Sequence, residues 1–413
     1  MCISIMARTR QIEITGADFG ASYSIVVHEF GPAEAEEVCY IQASLHADEL
    51  PGMLCVHHLV RMLDVAETNG WLKKRVQIVP FANPIGLSQV MLGRHVGRFN
   101  FQSGVNFNRS YVDMTADILR EKTVEMHLKD DDSKHNTKII REAILQGLEE
   151  RKSIPHIKTE EALKLELLSM AATSDIVLDL HCDSDAVLHM YTHTRIWPHM
   201  QDLAEELQVH CTLLAELSGG EPIDEVCSAP WAALADAYPA CRDAIPMACE
   251  SVTVELRGDR DVSDELAIKD AKALFRFLQR RDYIESLEGI REIQFVCENS
   301  KGLGLAFVDF EDAIGCISSW SHSYESLSLE NPNHPNRPPA LLRDASPLTG
   351  MDLIPAERGG IIVWEKMVKP GDVVVKGQRL GEIVDIVVRV FIFCALIFCV
   401  LIFCVIIFCV TYV

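Results

Sequence analysis

Residues 10 to 290 alternate short β-rich runs with longer stretches of helical hydrophobic period. The runs that predict strands are Gln11–Thr15, Tyr23–Phe30, Val38–Leu45, Val76–Phe81, Asp175–His181 and Ser251–Leu256. Between them the spacing predicts helices over Leu50–Asn69, Lys138–Arg151, Glu160–Ala172, His199–Leu207 and Ser263–Arg281. Such alternation points to an α/β domain with a mixed or mostly parallel sheet covered by helices on both faces. In an open sheet of that kind, ligands gather where strands give way to loops. His46, Asn83 and His181 each stand at or just past the end of a predicted strand.

Elsewhere the pattern changes. Residues Asp113–Ser153 are strongly charged, with Lys129-Asp-Asp-Asp-Ser133, and read as a solvated connection running into a helix. The stretch 318–347 is rich in Ser, Asn and Pro, and Asn331–Pro339 cannot hold regular structure, so this is a loop or linker. Gly359–Val384 carries short strands separated by Pro-Gly-Asp and Lys-Gly-Gln turns, the signature of a small all-β module. Three regions follow: an α/β domain over 1–290, a β-rich module over 291–386 that contains the Pro-rich insertion 318–347, and a hydrophobic tail over 387–413.

From Val390 to Val410 there is no charge over 21 residues, a length that can span a bilayer. Yet Ile-Phe-Cys recurs at 392, 397, 402 and 407, and a period of five matches neither a helix face nor a strand face. The tail is a C-terminal membrane anchor or translated simple-sequence DNA, and membrane contact is expected only in the first case.

The composition narrows the partners. A formal charge of -22 argues against nucleic acid or an anionic membrane surface as the main partner. Four of the 14 cysteines (Cys394, Cys399, Cys404, Cys409) belong to the tail, and the rest are scattered without C-x-x-C pairing. That usage suits the reduced, buried thiols of a cytoplasmic protein. The first ten residues hold too short an apolar stretch for a secretory signal. Oligomerisation is left open.

The chemistry begins at His46-Ala-Asp-Glu49, where a predicted strand turns. A histidine and a carboxylate three apart can face one divalent cation, and zinc accepts both while keeping a position open for water. By itself H-x-x-E is a common spacing. His181, at the end of the apolar run Asp175–Leu180, offers a third ligand, and two histidines with one glutamate make the ligand set of hydrolytic zinc sites. Such a site needs a general base. Glu255 is a carboxylate on the apolar strand Ser251–Leu256; it is either an edge residue facing solvent or a buried group with a raised pKa. Between these residues come Arg94, Arg98 and the run Asn106-Phe-Asn-Arg109. A guanidinium forks onto a carboxylate, and a separate arginine can stabilise an oxyanion.

His46-x-x-Glu49, Asn83-Pro84, Asn108-Arg109, His181 after Val-Leu-Asp-Leu, and Thr253-Val-Glu255-Leu, in this order, resemble the zinc carboxypeptidase-like succinylglutamate desuccinylase/aspartoacylase family. The resemblance runs from about residue 10 to residue 386. It implies a carboxypeptidase-like mixed sheet flanked by helices, followed by a small all-β, barrel-sandwich-like module. It also implies one zinc ion per chain on His46, Glu49 and His181, with Glu255 as general base and acid. Asn108 and Arg109 would hold a substrate carboxylate, with Asn83 among the substrate-side residues. Arg98 is the match for the oxyanion arginine, and Arg94 is its rival. The implied reaction is hydrolysis of an amide bond of an N-acyl amino acid; a peptide C-terminus as substrate, or a non-catalytic zinc-binding scaffold, stays open. Val368–Gln378 also looks like half of a biotinyl or lipoyl carrier, but no lysine follows on the hairpin, which argues against cofactor carriage.

Overall fold

The computed structural model describes residues 8–16, 21–120 and 124–285 in full and residues 122 and 123 as backbone. Beyond these it describes Asp372 and the backbone of the strands named below. The first strands are β1 (Arg8–Ile14), β2 (Tyr23–Phe30), β3 (Val38–Ala43) and β4 (Arg75–Val79). A small antiparallel hairpin follows, β5 (Val90–Met91) with β6 (Arg94–His95). Next come β7 (Ile176–Asp183), β8 (His189–His193), β9 (Cys211–Ala215) and β10 (Glu250–Gly258). Towards the C-terminus lie β11 (Glu292–Asn299), β12 (Gly302–Asp309), β13 (Ser346–Pro347), β14 (Ile361–Trp364), β15 (Arg379–Val384) and β16 (Val390–Cys394).

Nine of these strands form one sheet in the order β1-β2-β4-β3-β7-β10-β8-β9-β13. The centre, β4-β3-β7-β10, is parallel, while β1, β2 and the β10–β8 pair run antiparallel, so the sheet is mixed. Strand alternation then sorts the side chains, because successive residues point to opposite faces. Cys39, Ile41, Leu178, Leu180, Val252 and Val254 share one face and are completely buried. Against that face pack α1 (Pro51–Thr68), α7 (Trp197–Leu207) and α9 (Asp264–Arg280), through residues such as Leu59, Leu203 and Phe277.

The opposite face carries a different set: Tyr40 and Gln42 from β3, Asp179 and His181 from β7, Thr253 and Glu255 from β10. The register aligns Gln42 with Asp179, Asp179 with Thr253, and His181 with Glu255. A row of polar groups therefore crosses three parallel strands near their carboxyl ends, and helices α5 (Ser133–Lys152), α6 (Thr159–Ala171) and α8 (Ile223–Ala237) enclose the apolar remainder of this side. Three short helices, α2 (Pro84–Leu87), α3 (Thr115–Arg120) and α4 (Lys122–His127), lie in the connections. Helix starts follow local chemistry. Asp132 accepts a hydrogen bond from the His135 amide at the start of α5, and Ser263 does the same for Leu266 at α9. Pro51 opens α1, where its missing N–H has no bond to make.

The mixed sheet flanked by helices is the architecture expected from the hydrophobic pattern. Several elements were not expected. Strands β8 and β9 and helix α8 fall in a segment for which the pattern predicted only one helix. The segment 113–153 is also corrected: α3 and α4 precede α5, and they bury Ile118 and Val124 beneath the charged surface. Ser346–Pro347, at the end of the Pro-rich stretch, adds an edge strand parallel to β9, a place where proline loses no essential ladder bond. The rest of the 318–347 reading lies outside the described residues. In the C-terminal region β11 pairs with β12, and β14-β15-β16 form a three-stranded antiparallel sheet; the barrel-sandwich reading falls mainly outside the described residues. The hydrophobic tail is described only through β16, which pairs with β15. Among the described residues, no helix is long and apolar enough to cross a membrane.

Candidate metal centre and its surroundings

The first two donors come from the turn that leaves β3. Ser44 takes a left-handed conformation (φ 61°), and the Glu49 amide then donates to the His46 carbonyl at 3.1 Å, closing the turn. Gly97 lies against this turn. Its carbonyl accepts from the Ala47 amide at 3.1 Å, and a Cβ at Gly97 would sit 2.5 Å from the Asp48 nitrogen. Only glycine lets the two chain segments approach this closely.

The turn aims His46 Nδ1 at Glu49 Oε1 (2.9 Å), while His181 Nδ1 reaches Glu49 Oε2 at 2.7 Å from β7. One ligand atom from each of His46, Glu49 and His181 lies within 4.8 Å of the others, and all three residues are buried. The cluster could hold a metal ion. Its outer contacts fit that use, since both imidazoles turn Nδ1 inward and have Nε2 occupied. His46 Nε2 faces Asn106 Oδ1 at 2.8 Å, and His181 Nε2 faces Asp179 Oδ2 at 2.8 Å. An acceptor at Nε2 keeps the proton there and leaves the Nδ1 lone pair for a metal. Asp179 is itself held by Gln42 Nε2 at 2.9 Å, and Tyr40 donates to Gln42 Oε1 at 2.8 Å.

Electrostatics separate the groups. Burial alone would raise the Glu49 carboxyl, but His46 and His181 outweigh it and hold Glu49 well below the usual carboxylate range. Burial lowers His46 despite Glu49, favouring the neutral ring. Burial would also lower His181, yet Asp179 and Glu49 on its two sides carry it well above its ordinary value.

Glu255 stands beside His181 in register on β10, just before a bulge. Burial pushes its carboxyl up to about 8, partly opposed by His181, and its Oε2 is sequestered without a hydrogen-bond partner among the described residues. Such a carboxyl readily holds a proton and can pass it on.

Arg98 reaches the cluster directly. Its guanidinium lies 2.7 Å from Glu49 Oε1 and 3.1 Å from His46 Nδ1, and the side chain is 46% exposed. Arg94, its rival, is exposed on β6, and no contact among the described residues joins it to the cluster. Asn108 is buried, with Nδ2 3.3 Å from His181 Nε2 and Oδ1 accepting from the Ile223 amide at 3.0 Å. Arg109 is exposed and donates to the Asn108 carbonyl at 2.7 Å. Asn83 is completely buried: its Oδ1 caps α2 at Gly86 and its Nδ2 donates to the Leu45 carbonyl. Both ends of its amide are engaged on backbone, so in this structure Asn83 braces the turn that bears His46.

Asp179 and Asn106 were absent from the sequence-based candidates. Asp179 was legible in principle, because it stands two residues before His181 on the same strand face. Asn106 carried no such signal, since only the loop's path brings it to His46.

Fold and donors together define a class: a mixed α/β protein with a buried His-Glu-His cluster at the carboxyl ends of its central strands. Residues 35–134 match the succinylglutamate desuccinylase/aspartoacylase catalytic domain, and the family resemblance seen in the sequence is borne out. The chain is similar to a structure from Shewanella frigidimarina NCIMB 400 assigned to that family, at 21% identity and a TM-score of 0.70 over 94% of this chain and 90% of the other. A second, from Shewanella amazonensis SB2B, matches at 21% identity and 0.69 over 94% and 92%. The product-bound ectoine utilization protein EutE from Ruegeria pomeroyi matches at 12% identity and 0.52 over 95% and 89%. At these identities the structures speak for the fold. No curated protein matches the chain by sequence.

Proposed function

We propose that this chain is a zinc-dependent hydrolase with a carboxypeptidase-like catalytic domain over residues 1–290, which cleaves the amide bond of an N-acyl amino acid. The β-rich region 291–386 forms a separate module in this reading, and the protein is cytoplasmic. The observation that carries it is the inward pairing of His46 Nδ1, Glu49 and His181 Nδ1, each ring held at its outer nitrogen. A zinc ion on these three residues would supply an acidified water and a positive charge for the carbonyl oxygen.

The chain's own groups supply the rest. Glu255 takes a proton at its carboxylate and returns it to the leaving amine; its raised pKa suits both halves of that task. Arg98 brings a permanent positive charge to the same point and stabilises the developing oxyanion. Arg109, exposed and with donors to spare, pairs with the substrate carboxylate beside Asn108. The names of the similar proteins, desuccinylase and aspartoacylase, favour an N-acyl amino acid over a peptide.

The test is metal analysis of the purified full chain together with hydrolysis assays on N-acyl amino acids and short peptides. One zinc per chain with release of a free amino acid from an N-acyl substrate supports the reading. Release of C-terminal residues from peptides replaces it with a carboxypeptidase. Zinc without any hydrolysis indicates a scaffold, and failure to bind zinc overturns the proposal.

A further inference from the structure

The segment 98–109 delivers Arg98, Asn106 and Asn108 to the cluster, yet it has almost no regular structure of its own. It is held from outside. Lys164, on α6, is buried, and its ammonium donates to the Arg109 carbonyl at 2.7 Å and to the Asn106 carbonyl at 3.3 Å. These two carbonyls flank Asn108. The third direction of the ammonium is covered by the Tyr111 ring, 5.6 Å from its centroid. One turn earlier on the same helix face, Glu160 accepts from Ser103 Oγ at 2.6 Å and from the Asn100 side-chain amide. The two residues are four apart, so their side chains project together; burial lowers the Lys164 pKa, and Glu160 opposes that shift.

We propose that Glu160 and Lys164 form a clamp that sets the 98–109 segment against the metal centre, with Lys164 as a positioning residue for Asn106 and Asn108. This rests on the metal-centre reading above, but the clamp itself is a property of the chain. Lys164 ties down both ends of the 106–109 turn, and that turn places Asn106 Oδ1 on His46 Nε2 and Asn108 Nδ2 near His181 Nε2. Without it, two part-buried carbonyls lose their donors and the turn is free to lift, releasing the outer nitrogen of His46 from Asn106. A cavity of about 170 Å³ beside Lys164, lined by Val105, Ser110, Tyr111 and Leu168, leaves room for a guanidinium in place of the ammonium. Lys164→Arg should therefore preserve the clamp, whereas Lys164→Met keeps the stem and removes every donor.

The experiment compares the wild-type full chain with Lys164→Met and Lys164→Arg in two ways. Amide hydrogen exchange is measured on metal-free protein, and zinc affinity is measured by competition with a chromophoric chelator. With Lys164→Met, exchange across residues 106–111 should accelerate at least tenfold while the central strands stay protected, and zinc should bind about 10–100-fold more weakly. Lys164→Arg should restore both to within about threefold. Unchanged exchange in Lys164→Met, or zinc affinity equal to wild type at accelerated exchange, overturns the inference. Should Lys164→Met not fold, Lys164→Gln, which keeps a donor for one carbonyl, should show the intermediate exchange rate; wild-type rates there overturn the inference too. A wild-type chain that takes up no zinc would remove the metal reading, and the exchange comparison would still decide the clamp.

Discussion

Asp179→Asn keeps the shape of a completely buried side chain and changes only which of its atoms accept. Asp179 receives Gln42 Nε2 on one oxygen and His181 Nε2 on the other, at 2.9 and 2.8 Å. An asparagine has one oxygen and one NH2, so it cannot accept from both. If its NH2 faces Gln42, two donors meet in a fully buried site. If it faces His181, the ring must accept at Nε2 and move its proton to Nδ1, the atom aimed at Glu49. A hydrogen bond to a charged group contributes about 1.5–3 kcal/mol, which corresponds to about 10–150-fold in a binding constant. Zinc affinity should therefore fall by about 10–100-fold, the usual cost of losing an outer partner of a metal-bound histidine. The assay is chelator competition at fixed pH, with a folded control by circular dichroism. Zinc affinity within twofold of wild type in a folded Asp179→Asn protein would refute the reasoning, because the Nδ1 donor role of His181 would then not depend on Asp179.

Glu255→Gln should leave zinc binding within about threefold and lower turnover by about 10²–10⁴-fold, the range expected for a lost general base; retained turnover removes Glu255 from that role. Asp224 gives a pH signature in stability. Burial, reinforced by Asp179, pushes its carboxyl from the ordinary 3.8 up to about 6. The folded state then holds its proton more tightly than the unfolded chain, so this group's contribution declines as pH rises from about 4 to 6 and stays flat above that. At about 1.4 kcal/mol per pKa unit, the penalty above pH 6 is about 3 kcal/mol. Asp224→Asn should show a smaller loss of stability over that interval in urea denaturation, and parallel curves for the two proteins would contradict the assignment. Gly97→Ala should push the Ala47–Asp48 turn away and weaken zinc binding by about tenfold or more, whereas an unaffected affinity would mean that the turn relaxes without moving His46.

The unexpected elements have a common origin. Strand β8 reads His189-Met-Tyr-Thr-His193, a polar-looking pentapeptide, yet four of its five residues are buried because β10 and β9 pair on its two sides. Hydrophobic pattern cannot show a strand whose polar side chains are buried by neighbours distant in sequence. Helix α8 is hidden for a related reason: it is apolar over most of its circumference and carries Pro230 inside, so its amphipathic period is blurred. The tight turn at His46-x-x-Glu49 and the strand position of His181 were visible because each depends on local spacing alone.

By itself the sequence determined the alternation of strands and helices, the donor types and their order, and the placing of a carboxylate on an apolar strand. Those properties follow from period-two and period-3.6 patterning and from the chemistry of single residues. Only the tertiary structure decided that Arg98, not Arg94, reaches the cluster, that Asn83 is spent on backbone, and that Asn106 and Asp179 hold the two imidazoles. It also decided that a lysine on α6 anchors the segment between them. The contacts of Asn83, Arg98, Asn106 and Lys164 join residues 38 to 60 apart in the chain, and the cluster pairs Glu49 with His181, 132 apart; their geometry is set by strand register and loop path. No local pattern encodes that; packing of the whole sheet does.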